Sequence, residues 1–313
     1  MPHRSTSTTR GHGRRWRVGA ALGAASALLL GGGLLAGVAG PAGASGATAA
    51  AVAAEDQEFR VGPDPTPQSV QSTQGPFDTE RIVVPRGNGF GGGTIHYPTD
   101  ADAERLGGIA VTPGFLSPQG TISWYGSMLA SHGFVVITID TNGPFDFPDS
   151  RSDQMMAALD FLTERSEVRE MVDPDRLAVA GWSMGGGGSL LSAQEHPELQ
   201  AAIGLTPWNL SSDWRDVTVP SLIIGAENDI IAPVFMHAEP FYTNLTSAQE
   251  RAYVEFESAD HFLPTRANPL LTQYVLSWAK RFVDNDTRYD RFLCPGPTPG
   301  PVVSEFRGTC PVD

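Results

Sequence analysis

The sequence predicts an α/β protein, a mostly parallel central sheet covered on both faces by helices. Three observations carry this. Short, strongly apolar β-rich runs alternate with longer segments of helical spacing. One such run, Arg176-Leu177-Ala178-Val179-Ala180, passes through Gly181-Trp182-Ser183-Met184-Gly185 into a helical stretch, a strand–turn–helix built around Gly-x-Ser-x-Gly. Carboxylate and imidazole side chains then follow at later strand exits. Right-handed crossovers put those exits on one edge of the sheet, where ligands bind.

Each element has its own signal. The polar, Pro/Gln-rich residues 55–78 read as an extended arm. Residues 81–84 and 93–97 read as an antiparallel hairpin, and 108–112 as a buried strand. A helix over 122–131 is closed by His132-Gly133, and 134–139 is the most β-rich run of the chain. Residues 150–165 fit a helix with Ser150 as N-cap and Met155, Met156, Leu159 and Phe161-Leu162 on its apolar side. After the serine strand and its helix come strands at 201–205, 221–224 and 252–256. A last helix over 269–283 carries Leu270, Tyr274, Val275, Trp278 and Phe282 at helical spacing. There is no internal repeat, and no insertion is long enough to form a lid domain.

The serine motif has a steric rationale. A nucleophile lifted into a cleft sits on a sharp turn. A side chain two positions before or after it would strike the neighbouring strand or helix, so Gly181 and Gly185 fit there. Gly and Ser are common, so the motif alone also suits an ordinary strand-to-helix loop; the strand before it and the helix after it favour the nucleophile.

In this topology the partners follow in the order serine, acid, histidine. His196 ends the helix of the serine motif and points away. His237 lies far beyond its strand and reads as structural. His261 lies just past the last parallel strand and is the candidate base. The strand before it exits into Ala226-Glu227-Asn228-Asp229. Asp229 is the preferred acid, with Glu227 as the alternative; Asp260 is too near His261 in sequence to orient its ring. The N–H of Met184, next to the nucleophile, and that of Phe115, on the loop after an early strand, are the candidate oxyanion donors. Trp182, Trp208, Ile231 and Phe262 adjoin the same loops and read as an apolar substrate groove, against the alternative that any one of the aromatics belongs to the core.

Composition bounds the setting. The first 54 residues carry five arginines and no acids, then an Ala/Gly/Leu run and small residues near Ala44. That is an export leader, with Arg14-Arg15 pointing weakly to a twin-arginine route; a membrane anchor is the alternative. Residues 55–313 then form one catalytic domain. Without the leader's arginines, 16 basic residues face 35 acidic ones, a net charge of −19, and Lys280 is the sole lysine. Such a surface disfavours nucleic acid and anionic membranes. The two cysteines, Cys294 and Cys310, suit a disulfide in an exported protein, worth about 3 kcal/mol in the chain-entropy model.

These residues resemble the actinobacterial cutinase and polyester hydrolase family over 59–313. The likeness is carried by Gly62-Pro63-Asp64-Pro65-Thr66, Phe90-Gly91-Gly92-Gly93-Thr94-Ile95, Ser131-His132-Gly133-Phe134-Val135-Val136-Ile137, Thr206-Pro207-Trp208, 281–289 and the terminal cysteine pair. The resemblance implies a lidless α/β-hydrolase fold with an open groove. It implies Ser183, Asp229 and His261 as triad, Phe115 and Met184 as oxyanion donors, and Trp208, Ile231 and Phe262 as groove residues. Two departures stand out: Trp182 replaces the His of most members, and Phe115 a frequent Tyr. The implied activity is that of a secreted, monomeric serine esterase acting on cutin-like and aromatic polyesters; a general lipase or carboxylesterase is the alternative. A catalytically silent hydrolase used for binding is disfavoured by the complete set of triad residues. No cofactor is expected for catalysis and no metal site is assigned. Some relatives bind a structural calcium ion, for which Glu227, Glu257 and Glu305 are candidates here, against the alternative of solvated acids.

Overall fold

The computed structural model describes residues 58–309. Its centre is a nine-stranded sheet: β1 (Thr79–Val84), β2 (Gly93–Pro98), β3 (Leu106–Thr112), β4 (Val135–Ile139), β5 (Val172–Trp182), β6 (Ala201–Leu205), β7 (Ser221–Ala226), β8 (Arg251–Phe256) and β9 (Val303–Gly308). The strand order is β1-β2-β4-β3-β5-β6-β7-β8-β9. The pairs from β4 to β8 are parallel; β1–β2, β2–β4 and β8–β9 are antiparallel. Among the described residues six α-helices accompany it: α1 (Pro67–Val70), α2 (Trp124–Ser131), α3 (Pro148–Asp160), α4 (Met184–Glu195), α5 (Ala238–Asn244) and α6 (Pro269–Val283).

The inner strands are apolar throughout because both faces are covered. Alternation still assigns sides. Ile109, Val111, Ala178, Ala180, Trp182, Ile203 and Ile224 pack with α2 and α6. Ala110, Val179, Ala202 and Ile223 pack on the other face with α3, α4 and α5. The connection from β6 to β7 holds no helix or strand, so no lid is inserted there.

Several expectations shift. The helix expected to start at Ser150 starts at Pro148, with Phe147 at the N-cap, because proline suits a first helical turn. Its last turn, Phe161–Arg165, is a π-helix. Helix α5 is short, and Pro240 inside its first turn hid it from the periodicity. The C-terminal tail holds an edge strand, β9, that pairs with β8. The leader and Cys310 lie outside the described residues, so the export segment and the Cys294–Cys310 pairing are not described. Among the described residues no helix is long and apolar enough to cross a membrane.

The pole opposite the loop edge is fastened by charge. Lys280 and Arg176 grip the two oxygens of Asp284, at 2.8 Å and 3.0 Å, and both Lys280 and Asp284 are fully buried. The same cluster anchors the N-terminal arm: Phe59 N–H donates to Asp284 O at 2.8 Å, and the Arg176 guanidinium lies 3.8 Å from the centroid of the Phe59 ring. Removing one partner of such a pair leaves a buried charge short of its counterion. Lys280→Met is therefore expected to lower the unfolding free energy by about 3–5 kcal/mol, read from urea denaturation against the wild type.

Candidate active site

Ser183 joins β5 to α4 with φ 57° and ψ −119°, a conformation that costs on the order of 1–3 kcal/mol in an L residue. The turn is this tight because strand and helix nearly touch. A Cβ on Gly181 would lie 2.2 Å from the Gly185 carbonyl carbon, and one on Gly185 would lie 2.3 Å from Thr112 O. Three backbone hydrogen bonds hold the serine. Its N–H donates to Leu205 O at 2.9 Å, and its carbonyl accepts from Gly187 N–H at 3.0 Å and Trp208 N–H at 2.9 Å.

Asp229 leaves β7 and His261 leaves β8, and both turn toward that serine. Ser183 Oγ donates to His261 Nε2 at 2.9 Å, and His261 Nδ1–H donates to Asp229 Oδ2 at 2.6 Å. Asp229 Oδ1 accepts from Ile231 N–H at 2.9 Å and Ala232 N–H at 2.7 Å. Those two donors fix the carboxylate, and a fixed carboxylate on Nδ1 selects the tautomer whose Nε2 can accept. All three residues are no more than 5% exposed, so the chain of hydrogen bonds sits in a low-dielectric setting. Glu227, the alternative acid, is engaged elsewhere, accepting from Ser258 N–H at 2.7 Å.

The donors expected for an oxyanion lie beside the serine. Met184 is the first residue of α4, so its N–H has no acceptor within the helix. Gly114 is so near that a Cβ there would stand 2.9 Å from Ser183 Cβ, which brings the Phe115 segment against Ser183. Arg151 Nη1 and Leu116 N–H secure that segment, donating at 2.9 Å to Pro113 O and Pro144 O.

Phe115, Ile231 and Phe262 are exposed on loops at this edge, and Trp208 is half-buried beside Ser183. Trp182 does not line the groove as expected. It is 3% exposed and shares a sheet face with Ala178 and Ala180. Its indole Nε1 donates to His261 O at 2.9 Å, Thr206 Oγ1 donates to the same carbonyl at 3.2 Å, and its ring stands 5.6 Å from the imidazole. The residue supports the histidine from below. His237 is buried under Trp208, ring centroids 5.9 Å apart, and burial lowers its proton affinity. His196 pairs with Glu198 at the far end of α4.

Two residues at this edge escaped the sequence reading. Phe145 and Phe147, on the loop after β4, are 64% and 48% exposed. Their signal was present: Pro144-Phe145-Asp146-Phe147-Pro148 places two aromatics between two prolines at a strand exit. Glu305 is paired with Arg307 at 2.6 Å, and among the described residues no three His, Cys, Asp or Glu side chains gather as a metal site.

A parallel sheet with a buried Ser–His–Asp relay at its loop edge is the architecture of an α/β-hydrolase, here an ester-hydrolysing enzyme. Within that class, the chain belongs to the PET hydrolase-like family, whose model matches residues 53–311. It is 50% identical to the bis(hydroxyethyl) terephthalate hydrolase of Streptomyces coelicolor over 82% of this chain and 84% of that protein. It is 51% identical to cutinase est1 of Thermobifida alba over 81% of this chain and 87% of that protein. A cutinase of Thermobifida fusca is 50% identical over 81% of this chain and 85% of that protein.

The support under His261 is testable. Trp182→Phe removes the indole donor and keeps an aromatic ring. A hydrogen bond of about 1 kcal/mol corresponds to roughly a fivefold fall in kcat, with KM for a short p-nitrophenyl ester within about twofold of wild type.

Proposed function

We propose that this protein cleaves polyesters by acyl transfer through Ser183. The observation that carries the reading is the hydrogen-bonded chain Ser183–His261–Asp229 opening beside exposed apolar loops. His261 Nε2 takes the Ser183 proton as Oγ bonds to the ester carbonyl carbon. The carbonyl oxygen becomes an oxyanion, received by the N–H groups of Met184 and Phe115. The tetrahedral intermediate collapses, His261 returns the proton to the departing alcohol oxygen, and an acyl-serine remains. Water then repeats the sequence with His261 as base, releasing the acid and restoring Ser183. Asp229 holds the tautomer throughout and stabilises the imidazolium.

The names of the relatives support a polyester, for the cutinases, and terephthalate ester bonds, for the bis(hydroxyethyl) terephthalate hydrolase, as what this site cleaves. Phe115, Trp208, Ile231 and Phe262 form the apolar groove of this reading. The arginine-headed apolar leader supports export, in an oxidising setting that suits a Cys294–Cys310 bridge, with a soluble monomer as the acting form.

The test is product analysis with aromatic and aliphatic polyester films. The wild type is expected to release soluble acids and alcohols, and Ser183→Ala to lower kcat on soluble esters by about a millionfold. Asp229→Asn, which disturbs the tautomer, is expected to cost about 10⁴ in kcat. Full activity in Ser183→Ala would sink the nucleophile assignment. Turnover of p-nitrophenyl esters with both films untouched would leave a general carboxylesterase.

A further inference from the structure

We propose that Arg151 is a positioning residue for ester cleavage: its guanidinium holds the loop after β3 so that the Phe115 N–H stays aimed at the oxyanion. The proposal rests on the acyl-transfer reading above and extends it by naming what fixes the second oxyanion donor.

The donor at Met184 comes with the start of α4, but the donor at Phe115 has no helix to set it. It sits on the peptide that follows Gly114, and a glycine leaves the peptides on either side of it free to rotate. No side chain at position 114 can restrain them, because a Cβ there would stand 2.9 Å from Ser183 Cβ. The direction of the Phe115 N–H is therefore set by tethers before and after it. After it, Gly114 O accepts from Ser117 N–H at 3.2 Å, and Leu116, at φ 58°, donates its N–H to Pro144 O at 2.9 Å. Before it, Pro113 O accepts from Arg151 Nη1 at 2.9 Å. That oxygen also abuts the serine turn, since a Cβ on Gly185 would lie 2.7 Å from it. Arg151 thus grips the loop where it meets the turn that carries Ser183.

Arg151 lies near the start of α3 and is fully buried; a Cβ on Gly188 of α4 would lie 3.2 Å from its own Cβ. Its Nε donates to Asp146 O at 2.8 Å, so one planar group ties the loop after β3 to the loop after β4. A lysine has no such fork. Among the described residues these two carbonyls are its hydrogen-bond partners, and Nη2 has none. Asp146 gives its carboxylate to Gly143 N–H and Gln154 Nε2, both at 2.9 Å. Burial pulls the guanidinium's pKa down to about 10, which leaves it charged at neutral pH. A buried charge without a bonded carboxylate weakens a fold, so stability alone does not account for an arginine here. Beside the oxyanion loop the charge has a role, because negative charge develops there in the transition state.

The test compares Arg151→Met and Arg151→Lys with wild type, each first checked for its thermal unfolding midpoint. Two readouts are taken: kcat and KM on a short p-nitrophenyl ester, and the Ki of phenylboronic acid. The boron bonds to Ser183 Oγ and becomes a tetrahedral anion as the serine proton passes to His261, so its Ki reports on the oxyanion donors. A misaimed donor weakens the transition state and its analogue alike and leaves the ground state untouched. Arg151→Met is expected to lower kcat about tenfold, to raise the boronate Ki by a like factor, and to leave KM within about twofold of wild type. Arg151→Lys keeps the charge, loses the fork and is expected to fall between. Folded variants with wild-type kcat and Ki, whatever their unfolding midpoints, overturn the positioning role alone. So does a fall in kcat with the Ki unmoved. Two variants that fail to fold assign Arg151 to the fold and overturn it as well. A wild type that turns over no ester overturns the acyl-transfer reading and the role with it.

Discussion

Everything at the loop edge depends on the near-contact of β3, β5 and α4 at the Ser183 turn. Thr112 O lies where a Cβ of residue 185 would be, and the Gly185 carbonyl lies where a Cβ of residue 181 would be. Two glycines thus let three elements meet without side chains between them. The serine in the middle is forced to positive φ and cannot relax. Its N–H is held by Leu205, and its carbonyl by Gly187 and Trp208, so strain that would undo an isolated turn persists here. The same bonds fix Trp208, because its N–H is one of the donors. The positions of Ser183 and Trp208 are one constraint.

From that point the relay is a matter of directed hydrogen bonds. His261 is held at three points, by Ser183 at Nε2, by Asp229 at Nδ1, and at its backbone carbonyl by Trp182 and Thr206. The acid is held in turn by two N–H groups of its own loop. Buried polar groups fully partnered in this way are rigid.

Much of this was legible in the sequence. Strand–helix alternation yielded the parallel sheet, and the helix over Pro269–Val283 matched its periodicity at both ends. The chain order of Ser183, Asp229 and His261 singled out the three side chains that the structure brings within hydrogen-bond reach. The expectation of Trp182 in the groove fails because Ala178, Ala180 and Trp182 share a parity of the strand that assigns the indole to the core. β9 was hidden because an edge strand with one wet face carries Ser304, Glu305 and Arg307 and reads as tail. Phe145 and Phe147 were hidden for a different reason. Nothing in a one-dimensional pattern says whether a loop aromatic turns inward or out, and that depends on where Asp146 finds its donors.

The two poles of the sheet divide the physical labour. At the loop edge the chain holds a strained serine, a buried imidazole and ten exposed apolar side chains, all of which weaken the folded state. At the opposite pole Lys280, Arg176 and Asp284 lock α6, β5 and the N-terminal arm together. A buried ion cluster is a weak source of net stability, but its geometry is selective, since any other packing strands a charge. The chain's only lysine sits there and nowhere on the surface. That placement ties the arm to one register on the body of the fold, and it leaves the site edge free to present rings to water.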